Sequence, residues 1–451
     1  MALTRSELQD AVGTIFIVIM ENRSFDHVLG HLSFNGKRKD VDGVIGPKPT
    51  SPSYINPANG QGYSPFLVTQ DGALGQDLPH DLKSVNTQLG RNPTSGKYAM
   101  NGFAQAYFDL GGSVTNNLPP LGFMDRSCVP VSGWFADNFT ICDRWFSSLP
   151  TSTHPNKLMA LAGKSIVDDT FTLIPEQDTL LDWLSARKID WRVYHDGAIS
   201  FFALMKQYWG LIVGDGFRRF DSLQGDLHDA DSPTPQVVII EPAYADAPFE
   251  QHPNDNHPPL PIAFGENFLS RVYRAISSAP AAVSSRSVLI VIHDEHGGFW
   301  DHVPPQPTPG YTSITGTRFE TTGPRVPAYI ISPLVSAKRC VDDLLFDHTS
   351  ILQFVAERFA PSGGTYSHEV DLRADLGFSS VSKLLDLSAP RVMPPMPDFP
   401  LTAPMTLQQQ RPIQSTGQRA FVQALDSMLA SSQYRSQILT KYPSLHAWDA
   451  A

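Results

Sequence analysis

Two continuous runs of branched apolar residues, Thr14–Met20 (TIFIVIM) and Val288–Ile292 (VLIVI), constrain this chain more than any other feature. Neither alternates with polar residues, so each is apolar on both sides of a strand. Such a strand is stable only where both faces of its sheet are covered, as in a parallel sheet between helix layers. Val237–Ile240 and Val326–Ile331 repeat the pattern, and Trp191–Tyr194 repeats it weakly. Helical periodicity falls between them, over Pro155–Ala162, Thr179–Arg187, Glu266–Ser277 and Ser350–Arg358. Strands alternating with helices predict an α/β fold with a mainly parallel sheet.

The connections carry the surplus of the composition. There are 38 prolines in 451 residues, about 8% against a usual share near 5%, which predicts stiff loops. Lys37–Asn117 and Ala243–Pro261 show little regular pattern, and long loops of that kind are usually functional. Ala389–Pro412 reads as a proline-rich strap, followed by an amphipathic helix from about Gln418 to Met428 with Phe421, Leu425 and Met428 on one face. A net charge of −11 excludes a nonspecific nucleic-acid binder, which needs a basic footprint. No run of 18 or more apolar residues is present, so no transmembrane segment is expected. The start of the chain has no secretory pattern, which leaves it cytoplasmic as written. Cys128, Cys142 and Cys340 cannot all pair, and buried free thiols are the simpler expectation.

Ligands in open α/β sheets bind beyond the carboxyl ends of the strands, and here those ends carry unusual chemistry. The first strand runs into Glu21-Asn22, the 288–292 strand into His293-Asp294-Glu295-His296-Gly297-Gly298, and the 237–240 strand into Glu241-Pro242. Two adjacent pairs of oxygen-bearing side chains at one sheet edge suit a divalent cation. Taken singly, each acid is as well explained by a helix cap or an arginine partner. Pro150–Lys157 (PTSTHPNK) places hydroxyls just before an early-turn proline. That is first of all an N-cap. It also suits a nucleophile for phosphoryl transfer, because free N–H groups at a helix start stabilise oxyanions. His80, His195, His252 and His257 lie on loops or at a strand end, and are candidates for acid catalysis or phosphate contact.

Taken together, Glu21–His27 (ENRSFDH), Ser152–Lys157 (STHPNK), His293–Pro305 (HDEHGGFWDHVPP), Asn256–Pro259 (NHPP) with Gly265–Phe268 (GENF), and Phe346–Ser350 (FDHTS) resemble one family. It is the phosphoesterase family of bacterial and plant phospholipases C and a bacterial acid phosphatase, and the likeness runs from about residue 13 to 360. The resemblance implies an alkaline-phosphatase-like three-layer sandwich, with a central mainly parallel sheet flanked by helices. With the proline-rich strap and helix read above, the chain is expected to divide into a catalytic domain over residues 1–388 and a segment over 389–451 packed upon it. The resemblance places metal ligands on Glu21, Asn22, Asp294 and Glu295, the nucleophile on Thr153, and the histidines that protonate the leaving group or touch phosphate on His257 and His80. His195 and Asn156 are further candidates for phosphate contact. One divalent ion is implied, calcium, magnesium, manganese or zinc.

The expected activity is that of a phospholipase C, cleaving the glycerol-side phosphoester of a phosphatidylcholine-like lipid through a phosphothreonine. A phosphomonoesterase of acid-phosphatase type is the alternative, and a noncatalytic lipid-binding relative is a third reading that the intact nucleophile argues against. Trp134, Trp145 and Trp300 could line a choline box, although core or wall positions are the plainer assignment. Relatives are often exported. Any transient contact with a membrane surface is expected through exposed apolar loop residues, since an acidic chain gains nothing from anionic lipid.

Overall fold

Strand β1 (Thr14–Met20) is buried along all seven residues, as is β6 (Ser287–His293) beside it. Both faces of the sheet are therefore covered there. The computed structural model describes residues 4–45, 54–113, 117–170, 173–248, 252–361, 363–401, 415–431 and 433–449. Around this pair stand β2 (Thr140–Cys142), β3 (Trp191–His195), β4 (Phe217–Arg219), β5 (Val237–Glu241), β7 (Ala328–Ile331) and β8 (Arg339–Val341). The eight strands run in the order β8-β2-β7-β6-β1-β5-β3-β4. Every pairing is parallel except those of β7 with β6 and with β2.

The antiparallel direction of β7 departs from the reading of Val326–Ile331 as a parallel strand. The chain leaves the carboxyl end of β6 and makes the hairpin Pro307–Thr312/Arg318–Thr321. It returns without a crossover helix, which a parallel return would require. Helices cover the sheet. Ala263–Ser277 packs with Pro130–Asn138, and Thr153–Ala162 packs with Thr349–Phe359. The expected α/β fold with a mainly parallel sheet between helices is the one observed.

The stretch Lys37–Asn117 is more regular than its composition suggests. It holds the helices Leu82–Leu89 and Phe103–Asp109 and three short strands. Asp81 starts the first helix by accepting from the amides of Lys83 and Ser84. These elements form a second apolar cluster with Phe299 and Trp300, which lie in the loop after β6. The strap is pinned where Tyr273 Oη donates to Pro394 O at 2.5 Å and Arg391 Nε to Val335 O at 2.8 Å. Pro404 and Pro412 lie outside the described residues. The helix Thr416–Ala430 sets Phe421, Leu425 and Met428 into the main core. Cys128, Cys142 and Cys340 are free thiols.

Candidate active site

β1 and β6 are neighbours in register, Met20 opposite His293, so the residues that follow them are neighbours as well. Asn22 N donates to Asp294 Oδ1 at 3.0 Å, and Asp294 N to Met20 O at 3.0 Å. The approach is close enough to require glycine. At Gly297, where φ is +62°, a Cβ would come within 2.0 Å of Asn22 O; at Gly298 it would meet Pro79 O at 2.7 Å. The two glycines thus let the loop after β6 lie against both the end of β1 and the approach to His80.

Thr153 enters from the side, as the first residue of the helix Thr153–Ala162. Its Oγ1 donates to Asn22 Oδ1 at 3.3 Å. Asn22 Nδ2 lies 3.4 Å from His80 Nε2, and the His80 ring meets the His257 ring edge-on with centroids 5.5 Å apart. Thr153, Asn22, His80 and His257 are therefore contiguous. His80 Nδ1 is bound to Leu78 O at 2.7 Å, which leaves Nε2 facing the pocket. Burial opposes charge on His257, but the carboxylates of Asp77, Asp246, Glu21 and Asp255 outweigh it and hold the pKa at about 10. Burial also works against charge on His80, yet Glu295 and Asp77 raise it above the ordinary value. The surrounding carboxylates thus favour the protonated form of both imidazoles, most strongly at His257.

Three carboxylates crowd the other side. Asp294 and Glu295 are wholly buried, and Asp294 Oδ2 and Glu295 Oε1 have no hydrogen-bond partner. Burial, with Glu21 and Glu295 adding to it, pushes the Asp294 carboxyl above the usual range. Burial pushes Glu295 the same way, but His80 and His296 prevail and lower it. Two orphaned, buried carboxylate oxygens beside the Asn22 amide oxygen form a donor set that fits a hard divalent cation. Glu21 joins less directly, because its Oε1 is taken by Lys157 Nζ. Lys157 is buried, with its ammonium 3.7 Å from the centre of the Tyr244 ring.

Among the described residues two groups of three have ligand atoms within 4.8 Å of one another, Asp77/His80/His257 and Asp26/Asp301/His302, whereas Glu21, Asp294 and Glu295 do not come that close together. The second already holds a cation. Buried Arg325 donates to Asp301 at 2.9 Å and to Asp26 at 3.2 Å, tying the loop after β1 to the loop after β6.

Two expected phosphate contacts are not made available by this geometry. His195 ends β3, two strands away from β1, and is buried with Nδ1 on Gly197 O and Nε2 on Tyr442 Oη. Asn156 spends its side chain on the turn that presents Thr153. It accepts from Leu149 N and donates to Leu149 O, Thr151 O and Ser152 O. Nor do the tryptophans form a box. Trp145 stacks on Phe346, Trp134 packs on Tyr273, and Trp300 packs on Tyr54. His252 lies with its ring against Phe264.

Sequence reasoning gave no role to several residues that shape the site. Asp77 sits three positions before His80. His348 donates from Nε2 to Asp294 O at 2.6 Å while its Nδ1 accepts from Trp145 Nε1, so it is neutral and fixes the loop of Asp294. His348 lay inside the Phe346–Ser350 motif and Asp77 close to the candidate His80, which was the available signal. Arg325 had no such signal.

A model of the phosphoesterase family matches residues 12–360. Non-specific phospholipase C1 of Arabidopsis thaliana is 30% identical over 383 residues, covering 78% of this chain and 68% of that protein. A non-hemolytic phospholipase C of Burkholderia pseudomallei is 26% identical, covering 81% of this chain and 59% of its own length. Phospholipase C A of Mycobacterium tuberculosis is 28% identical, covering 76% and 72%. Among solved structures, an alkaline phosphatase superfamily protein from Vibrio parahaemolyticus overlaps with a TM-score of 0.37 at 11% identity, covering 84% of this chain and 81% of that one.

Proposed function

The chain belongs to the phosphoesterase family, a hydrolase of phosphoric ester bonds, and on that premise we propose that it is a phospholipase C-type phosphodiesterase with Thr153 as nucleophile. The observation that carries the reading is the contact of Thr153 Oγ1 with Asn22 Oδ1, beside the orphaned oxygens of Asp294 and Glu295 and the His80–His257 pair. Asn22, Asp294 and Glu295, with Glu21 behind them, are the residues that would hold one divalent ion. Bound there, it would lower the pKa of the threonine hydroxyl and neutralise phosphate charge.

The rest of the reaction is assigned to the chain itself. With its proton lost to solvent, Thr153 Oγ attacks phosphorus in line and the bond to the leaving alcohol breaks. His257 gives its proton to that oxygen, while His80 faces the transferred phosphoryl group. Water then attacks the phosphothreonine, the now neutral His257 takes the water's proton, and Thr153 is released. Positioning and charge neutralisation supply most of the rate in such a transfer.

A phospholipid substrate follows from likeness to phospholipases C and from this site. Among the described residues no helix is long and apolar enough to cross a membrane. Exposed Ile45, Ile314 and Val392 are the kind of side chain through which a transient lipid contact would be made.

The decisive test compares p-nitrophenyl phosphate with p-nitrophenyl phosphocholine, for the natural enzyme and for Thr153→Ala. Preference for the diester, lost in the variant, supports the reading. Preference for the monoester moves the assignment to a phosphatase, and a fully active Thr153→Ala removes the covalent route.

A further inference from the structure

Asn22 and Arg23 are consecutive, yet they serve opposite sides of the pocket. Asn22 has φ +59°, which turns the chain sharply at the end of β1. Its side chain meets Thr153, whereas that of Arg23 runs to the loop carrying His257.

Arg23 is 2% exposed and has all three guanidinium nitrogens engaged. Nε donates to Asn256 O at 2.7 Å and Nη2 to Leu260 O at 2.9 Å, so the clamp brackets His257 on both sides. Nη1 lies 2.9 Å from His27 Nε2. His27 Nδ1 is bound to Gly122 O at 2.7 Å, so Nδ1 carries the hydrogen and Nε2 accepts from arginine. The Phe299 ring stacks on His27 at 3.7 Å and lies 4.7 Å from the guanidinium. On its far side the loop is held by the 71–77 segment. Leu74 N donates to Pro259 O at 2.7 Å, and Asp71 accepts from Ile262 N and Ala263 N.

We propose that Arg23 is the positioning residue for His257, so that the dipeptide Asn22-Arg23 sets the nucleophile and the leaving-group acid in register from one strand end. This rests on the roles assigned above to Thr153 and His257. Lysine cannot replace the clamp, because a single ammonium does not reproduce a planar fork aimed at fixed carbonyls.

The test uses full-length Arg23→Lys and Arg23→Gln, with His257→Ala as reference. Each is assayed on p-nitrophenyl phosphocholine and on dihexanoylphosphatidylcholine, or on p-nitrophenyl phosphate and glycerol phosphate if the monoester is preferred. A nitrophenolate leaves with little proton help, whereas an alkoxide needs it. The ratio of the two rates does not depend on how much of a preparation is folded, so it still reports if Arg23→Gln is poorly folded.

Correct general acid placement is worth about 10²–10⁴ in rate, so Arg23→Lys is expected to shift the ratio at least about tenfold toward the nitrophenyl substrate, as His257→Ala does. Equal losses on both substrates in the arginine variants, with a shifted ratio in His257→Ala, overturn the clamp alone. An unshifted ratio in His257→Ala overturns the acid assignment, and the clamp with it.

Discussion

Thr153 Oγ1 lies 3.3 Å from Asn22 Oδ1, so the first residue of a helix touches a residue just beyond the end of the central strand. Residues 131 positions apart in the chain meet at the point where phosphorus is to be attacked. Thr153→Ala is therefore expected to cut turnover by at least about a thousandfold on any phosphoester, as loss of a nucleophile does elsewhere, with no loss of thermal stability beyond that of an ordinary surface change. Thr153→Ser should retain measurable turnover. Rapid-quench labelling with a phosphorus-labelled substrate checks the intermediate, and label retained on Thr153→Ala would place the nucleophile elsewhere.

The orphaned oxygens of Asp294 and Glu295 predict a stoichiometry. Protein dialysed against a divalent salt should hold one ion per chain by elemental analysis. Asp294→Asn and Glu295→Gln should each abolish retention, and chelation should remove activity reversibly. His348→Ala, which frees the Asp294 carbonyl, should weaken affinity by about ten- to a hundredfold, the usual effect of losing an outer support of a metal site. Retention by both carboxylate variants with loss in Asp77→Asn would move the ion to the Asp77/His80/His257 group.

The strands were readable because buried branched runs have few alternatives, and Glu21-Asn22 and Asp294-Glu295 because they end such runs. The direction of β7 was not, since VPAYII reads the same in either sense and only the absence of a crossover helix decides. His195 also follows a strand, but sequence carries no sheet order, and β3 lies two strands out with Tyr442 against the ring. Arg325 was invisible because its partners, Asp26 and Asp301, are distant in the chain.

That arginine supports a stability prediction. Removing one member of a buried charge cluster strands the others, at a cost of about 3–5 kcal/mol. Arg325→Met should therefore lower the unfolding midpoint substantially, and Arg325→Met/Asp301→Asn should recover part of the loss. If the double change loses as much as the sum of the single ones, the pair is not coupled.

The same cluster has a pH signature. Burial would lower the His302 pKa, but Asp26 and then Asp42 override it and hold it at about 10. A pKa raised by folding means the folded chain binds the proton more tightly, so this stabilisation is complete below the ordinary histidine value and fades as pH rises toward 10. Melting curves of the natural protein and His302→Asn should thus differ most near pH 6 and converge by about pH 10. A gap that stays constant over that window would mean the imidazole is not charged in the folded state.

The helix Thr416–Ala430 reaches toward the pocket through an aromatic stack. Phe421 stacks on Tyr244 with centroids 5.8 Å apart, and Tyr244 faces the Lys157 ammonium that holds Glu21. Truncating a buried phenylalanine costs about 3–5 kcal/mol, so Phe421→Ala should unfold earlier. Loss of the stack should also free Tyr244 and loosen Lys157. Phe421→Leu fills most of the space without a ring, and so separates the two effects. If the helix supports the site, Phe421→Leu keeps most of its stability but binds the divalent ion more weakly than the natural protein in a titration. Unchanged affinity in Phe421→Leu would confine this helix to a structural role and leave Lys157 to hold Glu21 unaided.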